Sequence, residues 1–429
     1  MNIKLAYDRD GLDVTLPLNG EHLEIVEPKF VPGLEDSPVA LRQALKAPVA
    51  GPPLRDAVGP DDTVGIIFSD ITRPCPNHLI LPAILDTLDN VPNERITLFN
   101  ALGTHRPNTP DELRGMLGDD PRGGGKIADV YRIGNNNAFD RSTQILIGTS
   151  ARGNEIRVNR AFMDCDFKLL TGFIEPHFFA GYSGGPKGIM PGVAALETVM
   201  SNHGASHIGN PKSTFGVTYG NPIWEEMLAI AQRPGPSFLL NVTLNEQRQI
   251  TNVFAGNLID AHKTGCEYVA RTAMQPVEKP FDVVVTTNSG YPLDLNLYQG
   301  VKGMSAGARI VKEGGTLILA CECREGVPEH SPMDQLLRTA RSPEEVLSLL
   351  ATPGFEKPDQ WQAQIQALIQ RKADVRVYSS LDAETLRAAH LTPCEDISAM
   401  VAAELERHGP EARVAVLPQG PLTIPFLVE

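Results

Sequence analysis

TVGIIFSDITRPCPNHLILPAILDTLDNVPNERITLFNALGTHRP, residues 63–107, carries the alternation on which the fold reading rests. Thr63–Phe68 is a short, continuous apolar run with branched side chains, the pattern of a strand buried on both faces. A polar loop follows, Ser69-Asp70-Ile71-Thr72-Arg73-Pro74, and then a stretch of helical character around Leu79–Leu88. Arg95–Asn100 reads as a second strand, ending at Gly103-Thr104-His105-Arg106-Pro107, and Asp111–Leu117 as the next helix. The order recurs at Phe167–Ile174, which runs into Glu175-Pro176-His177. Strand, polar loop and helix in repetition predict an open, mainly parallel α/β sheet whose site gathers at the carboxyl ends of its strands.

Outward from this region, the N-terminal MNIKLAYDRDGLDVTLP alternates apolar and polar residues as a strand does, and does not read as a signal peptide. Met274–Pro280 is rich in proline and charge, and Phe281–Thr287 directly begins another buried strand, so a domain boundary is expected there. The expected division is an N-terminal α/β domain over 1–275 and a C-terminal α/β domain over 276–404. The latter has a strand at Gly314–Ala320 and helices at 333–339, 343–350 and 360–370. The strand-like Arg413–Leu417, in the segment 405–429, is expected to return to the first domain. A chain of 429 residues is also too long for one ordinary core. The reading is of two α/β domains with mainly parallel sheets and an active-site cleft between them. No internal repeat is visible.

Composition narrows the function classes. With 42% hydrophobic and 21% charged residues the chain is of the soluble globular type. Its net charge of -14 argues against nucleic acid as the main partner, since such binding needs clustered Lys and Arg. No apolar run reaches the ~18 residues of a membrane span. The six cysteines are scattered, and the CxC pair Cys321/Cys323 lies in an apolar run, as buried thiols do. The cytoplasm is the expected location.

Three polar clusters stand at ends of predicted strands, where a rigid sheet holds functional loops. In the first, Arg73 reads either as a two-pronged binder of carboxylate or phosphate, or as the partner of Asp70 in a helix cap. In the second, His105 is either a base, its ordinary pKa suiting proton exchange near neutral pH, or a structural histidine. The third is Glu175 to His203. Its glycines, Gly184 and Gly185 among them, let the backbone approach a ligand closely. It is not a P-loop, because Pro186 separates the glycines from Lys187 and no Ser or Thr follows the lysine. Lys187 is thus either a covalent tether or an anion partner.

Downstream, Ala194–Asn202 reads as a helix with His203 at its end and Gly204 as the C-cap. A neutral imidazole there can bind a transition metal, alone or, in a zinc hydrolase, with His207 and a carboxylate such as Glu197. In the second domain, Gln299 and Lys302 share a face if Tyr298–Gly303 is helical, and would reach across the cleft to a carboxylate.

Together these clusters resemble the lactate racemase family, from Asp70 to about Trp361. The most specific stretch is PHFFAGYSGGPKGIMPG, residues 176–192, with His203 sixteen residues after Lys187. The resemblance implies a nickel-pincer nucleotide, a pyridinium mononucleotide with thioamide and thiocarboxylate arms, bonded covalently to Lys187. It makes His203 the side-chain ligand of nickel, and His105 and His177 the two acid/base groups. Arg73, Gln299 and Lys302 would orient the substrate, with Asp70 beside Arg73. Asp70, Thr72, Gly184, Gly185, Tyr298 and Trp361 would lie near the cofactor, and Phe178, Phe179, Tyr298 and Met304 would line a partly apolar pocket.

The implied reaction is racemisation or C2 epimerisation of a small 2-hydroxy acid. The C2 hydrogen is removed as hydride while one histidine takes the hydroxyl proton, and the 2-oxo acid is then reduced on its other face. Cofactor-synthesis enzymes would be needed for maturation. Two other classes stay open on the residues alone: a metal-dependent hydrolase or lyase, and a non-catalytic binder of the cofactor nucleotide.

Overall fold

The computed structural model describes residues 1–18, 20–235, 237–328 and 331–428; Glu429, the last residue of the segment 405–429, lies outside them. The chain forms two compact units. The central unit holds Phe30–His203 and Lys212–Ala270, and the terminal unit holds Met1–Lys29, Gly204–Pro211 and Arg271–Glu429.

The sheet of the central unit has six strands in the spatial order Ile250–Gly256, Phe238–Leu244, Phe167–Phe173, Val64–Ser69, Ile96–Ala101 and Arg132–Asn135. Every neighbouring pair is parallel except the first, which is antiparallel. Val64–Phe68 and Phe167–Phe173 are buried along their length, as their unbroken apolar character requires. Successive side chains leave a strand on opposite faces. Ile66 and Phe68 pack with Leu41, Leu45, Ile80, Ile84 and Leu85 on one side of the sheet. Ile67 and Leu170 meet Phe162, Ile189, Val193 and Ala261 on the other. Each fully buried Leu or Ile contributes roughly 2 kcal/mol.

Val64–Ser69, the first strand of this sheet in chain order, is followed on one side by Ile96–Ala101 and Arg132–Asn135. The chain then crosses to the other side for Phe167–Phe173. That reversal is a topological switch point, and the ends of the strands beside it are where ligands bind in open α/β sheets.

In the terminal unit six strands run in the order Thr392–Pro393, Asp374–Tyr378, Val311–Ala320, Phe281–Thr287, Val414–Leu417 and Leu23–Ile25, all parallel. Two sequence expectations change here. Val414–Leu417 does not return to the central unit: buried on both faces, it finds its neighbours in Phe281–Thr287 and Leu23–Ile25. The N-terminal stretch is a hairpin, Asn2–Leu5 with Leu12–Thr15, and not one strand. Its Ile3, Leu5 and Val14 pack with Val283, Val285 and Val416. Residues 1–29 therefore belong with this sheet and not with the rest of the expected 1–275 span. The proline-rich Met274–Val277 pairs in parallel with Ile424–Leu427 in a two-stranded sheet, a position that tolerates Pro276. Among the described residues no helix is long and apolar enough to cross a membrane.

Candidate active site

The register of the central sheet aligns three strand ends. Ser69 pairs with Ala101 and Ile67 with Leu170, so the loops after residues 69, 101 and 173 open at the same edge, beside the switch point. Asp70 directly follows the first of these strands. His105 follows the second, after a turn at Gly103 with φ +55. His177 follows the third.

Asp70 is buried, 2% exposed, while the His105 side chain is 40% exposed. Asp70 Oδ2 lies 2.6 Å from His105 Nδ1, and the Thr72 hydroxyl donates to Asp70 Oδ1 at 2.8 Å. Burial alone would raise the carboxyl pKa of Asp70. The His105 hydrogen bond and charge, the Arg73 charge and the Thr72 hydroxyl outweigh burial and hold it below the ordinary value. An ionised carboxylate only accepts, so Nδ1 of His105 carries a hydrogen, and the neutral form of the ring presents its lone pair at Nε2. Asp70 and Arg73 do not cap the next helix. That helix, Asn77–Thr87, starts after Pro76, and the Asn77 amide donates to Ser69 O. Arg73 is exposed and acts on Asp70 through its charge.

The loop carrying His105 is anchored on its far side. Thr109 and Glu112 form a capping box at the start of helix Pro110–Leu117, and both oxygens of Glu112 accept from Arg106 at 2.7 and 2.9 Å. The Arg106 hydrogen bond, with those from Thr109 and Asn108, holds the Glu112 carboxyl well below its usual range.

His177 is held differently. Pro176–His177 pairs antiparallel with Gly181–Tyr182 in a tight ribbon, and His177 Nδ1 accepts the Ala180 N–H at 3.2 Å. A neutral ring in this setting has its hydrogen on Nε2. The two histidines therefore present opposite chemistry at Nε2, an acceptor on His105 and a donor on His177. The buried Phe179 ring links the rest of the cluster. Its centroid is 4.5 Å from that of His177, 5.0 Å from that of His203 and 5.9 Å from Lys187 Nζ. Asn221, which caps helix Pro222–Gln232, donates to Phe179 O and fixes that residue's backbone.

Lys187 projects from a short turn, Gly185–Gly188. Gly184 and Gly185 have φ +74 and +52, conformations that favour glycine. A Cβ on either would also strike the protein itself, at Asn241 Oδ1 or the His262 ring, both 2.5 Å away. Packing as well as conformation thus demands glycine here.

His203 ends helix Leu196–Asn202 and is itself the C-cap; Gly204, with φ -63, starts the next helix and does not close this one. His203 is buried, with Nδ1 3.1 Å from Asn202 Oδ1. The Asn202 amide nitrogen donates to Ile223 O and Glu226 Oε2, which makes its oxygen the acceptor. The imidazole hydrogen is thus on Nδ1 and the lone pair on Nε2, the form a metal requires. Among the described residues no three His, Cys, Asp or Glu side chains are grouped to hold a metal. The Glu197 carboxylate instead faces Arg141 and Arg157, so the zinc-hydrolase ligand set is not assembled. A metal at His203 would take its other donors from a bound ligand.

In the terminal unit, Leu297–Ala308 is a helix, as the sharing of a face by Gln299 and Lys302 requires, and Asn296 caps it through the Gln299 N–H. Gly300 lies against Cys321 and Gly303 against Thr287 O, so the helix sits close to its sheet. The Tyr298 hydroxyl donates to Asp359 at 3.1 Å, and Gln362 donates to Tyr298 O. Trp361, between those two partners in sequence, is buried on helix Gln360–Lys372. Met304 is fully buried and belongs to the core, not to a pocket lining. Cys321 and Cys323 are buried, as the apolar run implied.

Sequence reasoning did not single out Asn202, Asn221, Asn241 or His262. Only Asn221-Pro222 carries a local signal, the Asn–Pro start of a helix.

Residues 7–216 match the lactate racemase N-terminal domain, and residues 277–424 the lactate racemase C-terminal domain. A lactate racemase of Thermoanaerobacterium thermosaccharolyticum is 34% identical over 428 residues, 98% of each chain. One of Lactiplantibacillus plantarum is 34% identical over 383 residues, 89% of each chain. The solved structure of the T. thermosaccharolyticum lactate racemase apoprotein superposes with a TM-score of 0.91 at 32% identity, covering both chains fully. A Thermotoga maritima protein shares the fold, with a TM-score of 0.67 at 20% identity over 92% of this chain and 100% of that one. The chain belongs to the lactate racemase family, a family of isomerases.

Proposed function

We propose that the protein inverts C2 of lactate or a related 2-hydroxy acid by proton-coupled hydride transfer, using a nickel-pincer nucleotide held covalently by Lys187 and through nickel by His203. The observation that carries this reading is the opposed pair of histidines after the two strands that flank Val64–Ser69, an acceptor at His105 Nε2 and a donor at His177 Nε2. A hydroxyl that must lose and regain its proton needs one group of each kind.

The residues present suit the cofactor. His203 offers an imidazole nitrogen in a buried site where the described residues form no protein ligand set, which suits a metal whose other donors come from an organic ligand. Lys187 offers an amine from a turn locked by two glycines. When bound, the cofactor supplies the acceptor and donor for the C2 hydride.

His105 takes the hydroxyl proton at Nε2, and ionised Asp70 stabilises the imidazolium that results. His177, entering this step as the imidazolium with its Ala180 contact opened, gives its Nε2 proton to the C2 oxygen and is left neutral. In the opposite direction the two histidines exchange these tasks. Arg73 is assigned to the substrate carboxylate as a two-pronged cation; Gln299 and Lys302 are assigned to substrate orientation. Gly184, Gly185, Tyr298 and Trp361 remain the proposed neighbours of the cofactor, with Asp70 and Thr72 reaching it through His105. The cofactor-synthesis enzymes are the proposed maturation partners, and the cytoplasm the proposed location.

The test uses protein co-expressed with those enzymes and L-lactate deuterated at C2, in ordinary water. D-lactate that keeps its deuterium, together with a mass adduct on Lys187, is the expected result. Washout of the deuterium would rule out hydride transfer, and an unmodified Lys187 in active protein would rule out the tether.

A further inference from the structure

We propose that Asn241 and His262 are positioning residues that clamp the turn Ser183–Gly185 and thereby set the bearing of Lys187, an assignment that rests on the reading of Lys187 as the cofactor tether. Asn241 lies on strand Phe238–Leu244 and His262 on helix Leu258–Ala273, and both are buried. The Asn241 side-chain oxygen accepts the Gly185 N–H at 2.8 Å, and its amide nitrogen donates to Leu240 O at 3.0 Å. His262 Nε2 lies 2.9 Å from the Ser183 carbonyl oxygen. A carbonyl only accepts, so Nε2 carries the hydrogen.

The two peptide groups flanking Gly184 are thus gripped from opposite elements, one through its oxygen and one through its nitrogen. The next link reaches the lysine directly, because Lys187 N–H donates to Gly184 O at 3.1 Å. Fit reinforces the hydrogen bonds, since the His262 ring and Asn241 Oδ1 occupy the space that side chains at Gly185 and Gly184 would need. Gly172, beside Asn241 in the neighbouring strand, leaves room for that amide.

His262 is the buried polar group of an otherwise apolar helix face of Leu258, Ala261, Gly265, Cys266 and Val269. Cys266 Sγ, one turn on, lies 3.6 Å from both ring nitrogens. Burial pushes the imidazole pKa down to about 4, against the opposing pull of the Ser183 hydrogen bond, so the ring is a neutral donor throughout the working pH range. A neutral, rigid donor holds a backbone turn without placing a second cation close to the lysine.

The experiment compares wild type, His262→Leu, His262→Gln and Asn241→Ala, each matured alongside the cofactor-synthesis enzymes. The fraction of chain carrying the Lys187 adduct is read by intact mass, and folding by thermal melting. A glutamine amide places a donor where the imidazole Nε2 stood; leucine has none. At least a tenfold loss of adduct is expected in folded His262→Leu and in Asn241→Ala, with His262→Gln within about twofold of wild type. Wild-type loading in His262→Leu, or equal loss in folded His262→Gln, overturns the proposal. Should His262→Leu not fold, His262→Asn, one methylene too short, takes its place with the same expected loss. A wild-type chain that carries no adduct would refute the tether itself. The clamp is then judged by deuterium exchange of the Gly185 amide, expected to be at least tenfold faster in Asn241→Ala, and unchanged exchange overturns it.

Discussion

Asp70 and His105 meet at 2.6 Å although 35 residues separate them in the chain. The contact exists because the strands that precede them are parallel neighbours in register from Val64↔Ile96 to Ser69↔Ala101. It decides which nitrogen of His105 faces outward with a lone pair.

Replacing Asp70 by Asn tests that role. The amide has nearly the same shape, yet it lacks the charge that stabilises the imidazolium and permits the other tautomer. A loss of about 10³-fold in kcat for lactate racemisation is expected, measured by chiral chromatography, with the thermal midpoint shifted by only a few degrees. Retained kcat would show that His105 works without its carboxylate.

His203→Ala separates metal binding from tethering. Nickel per chain, measured by elemental analysis of protein from co-expression, is expected to fall at least tenfold as the imidazole ligand is lost. The organic adduct on Lys187 should persist in intact mass. Undiminished nickel in the variant would move the metal ligand elsewhere.

Glycine-to-alanine changes are expected to act with opposite sign at two positions. Gly115 is exposed in helix Pro110–Leu117 with nothing near its missing Cβ, so alanine there should stabilise by about 0.5–1 kcal/mol. Gly185 has φ +52 and the His262 ring 2.5 Å from its missing Cβ, so alanine should cost about 2–4 kcal/mol. Urea denaturation of the two variants checks both signs.

His262 also makes stability depend on pH. Its folded pKa of about 4 lies below the ordinary 6.5. The contribution is fully present above pH 6.5. It is lost as pH falls towards 4, because the unfolded chain binds a proton that the folded ring refuses. The loss is on the order of 3 kcal/mol across that window. In urea titrations from pH 7 to 4, wild type should lose that much more stability than His262→Gln; parallel curves would contradict it.

Much of the architecture was legible residue by residue. Phe281–Thr287 and Pro343–Leu350 form where the apolar pattern put them, and Val64–Ser69 and Ile96–Ala101 are displaced by one residue. Strand assignment succeeds because a run buried on both faces has no other place to go. Errors arose where a local pattern fits two partners. Val414–Leu417 reads as a buried strand that either sheet could take, and only its pairing with Val283–Thr286 and Leu23–Ile25 assigns it. Gly204 follows a helix as C-caps do, but the helix after it takes it as an N-cap.

The site divides in the same way. Which residues carry chemistry was written in the chain: histidines after strands, a lysine after two glycines, a histidine at a helix end. Their protonation forms were not. Asp70 sets one tautomer for His105, the Ala180 N–H the other for His177, and Asn202 that of His203. The sequence alone determined the order of strands, loops and helices and the residue types at their ends, because those follow from local periodicity and conformational preference. The tertiary structure decided which nitrogen each imidazole presents and what grips the lysine turn, because buried hydrogen bonds are settled by sheet register and packing between segments far apart in the chain.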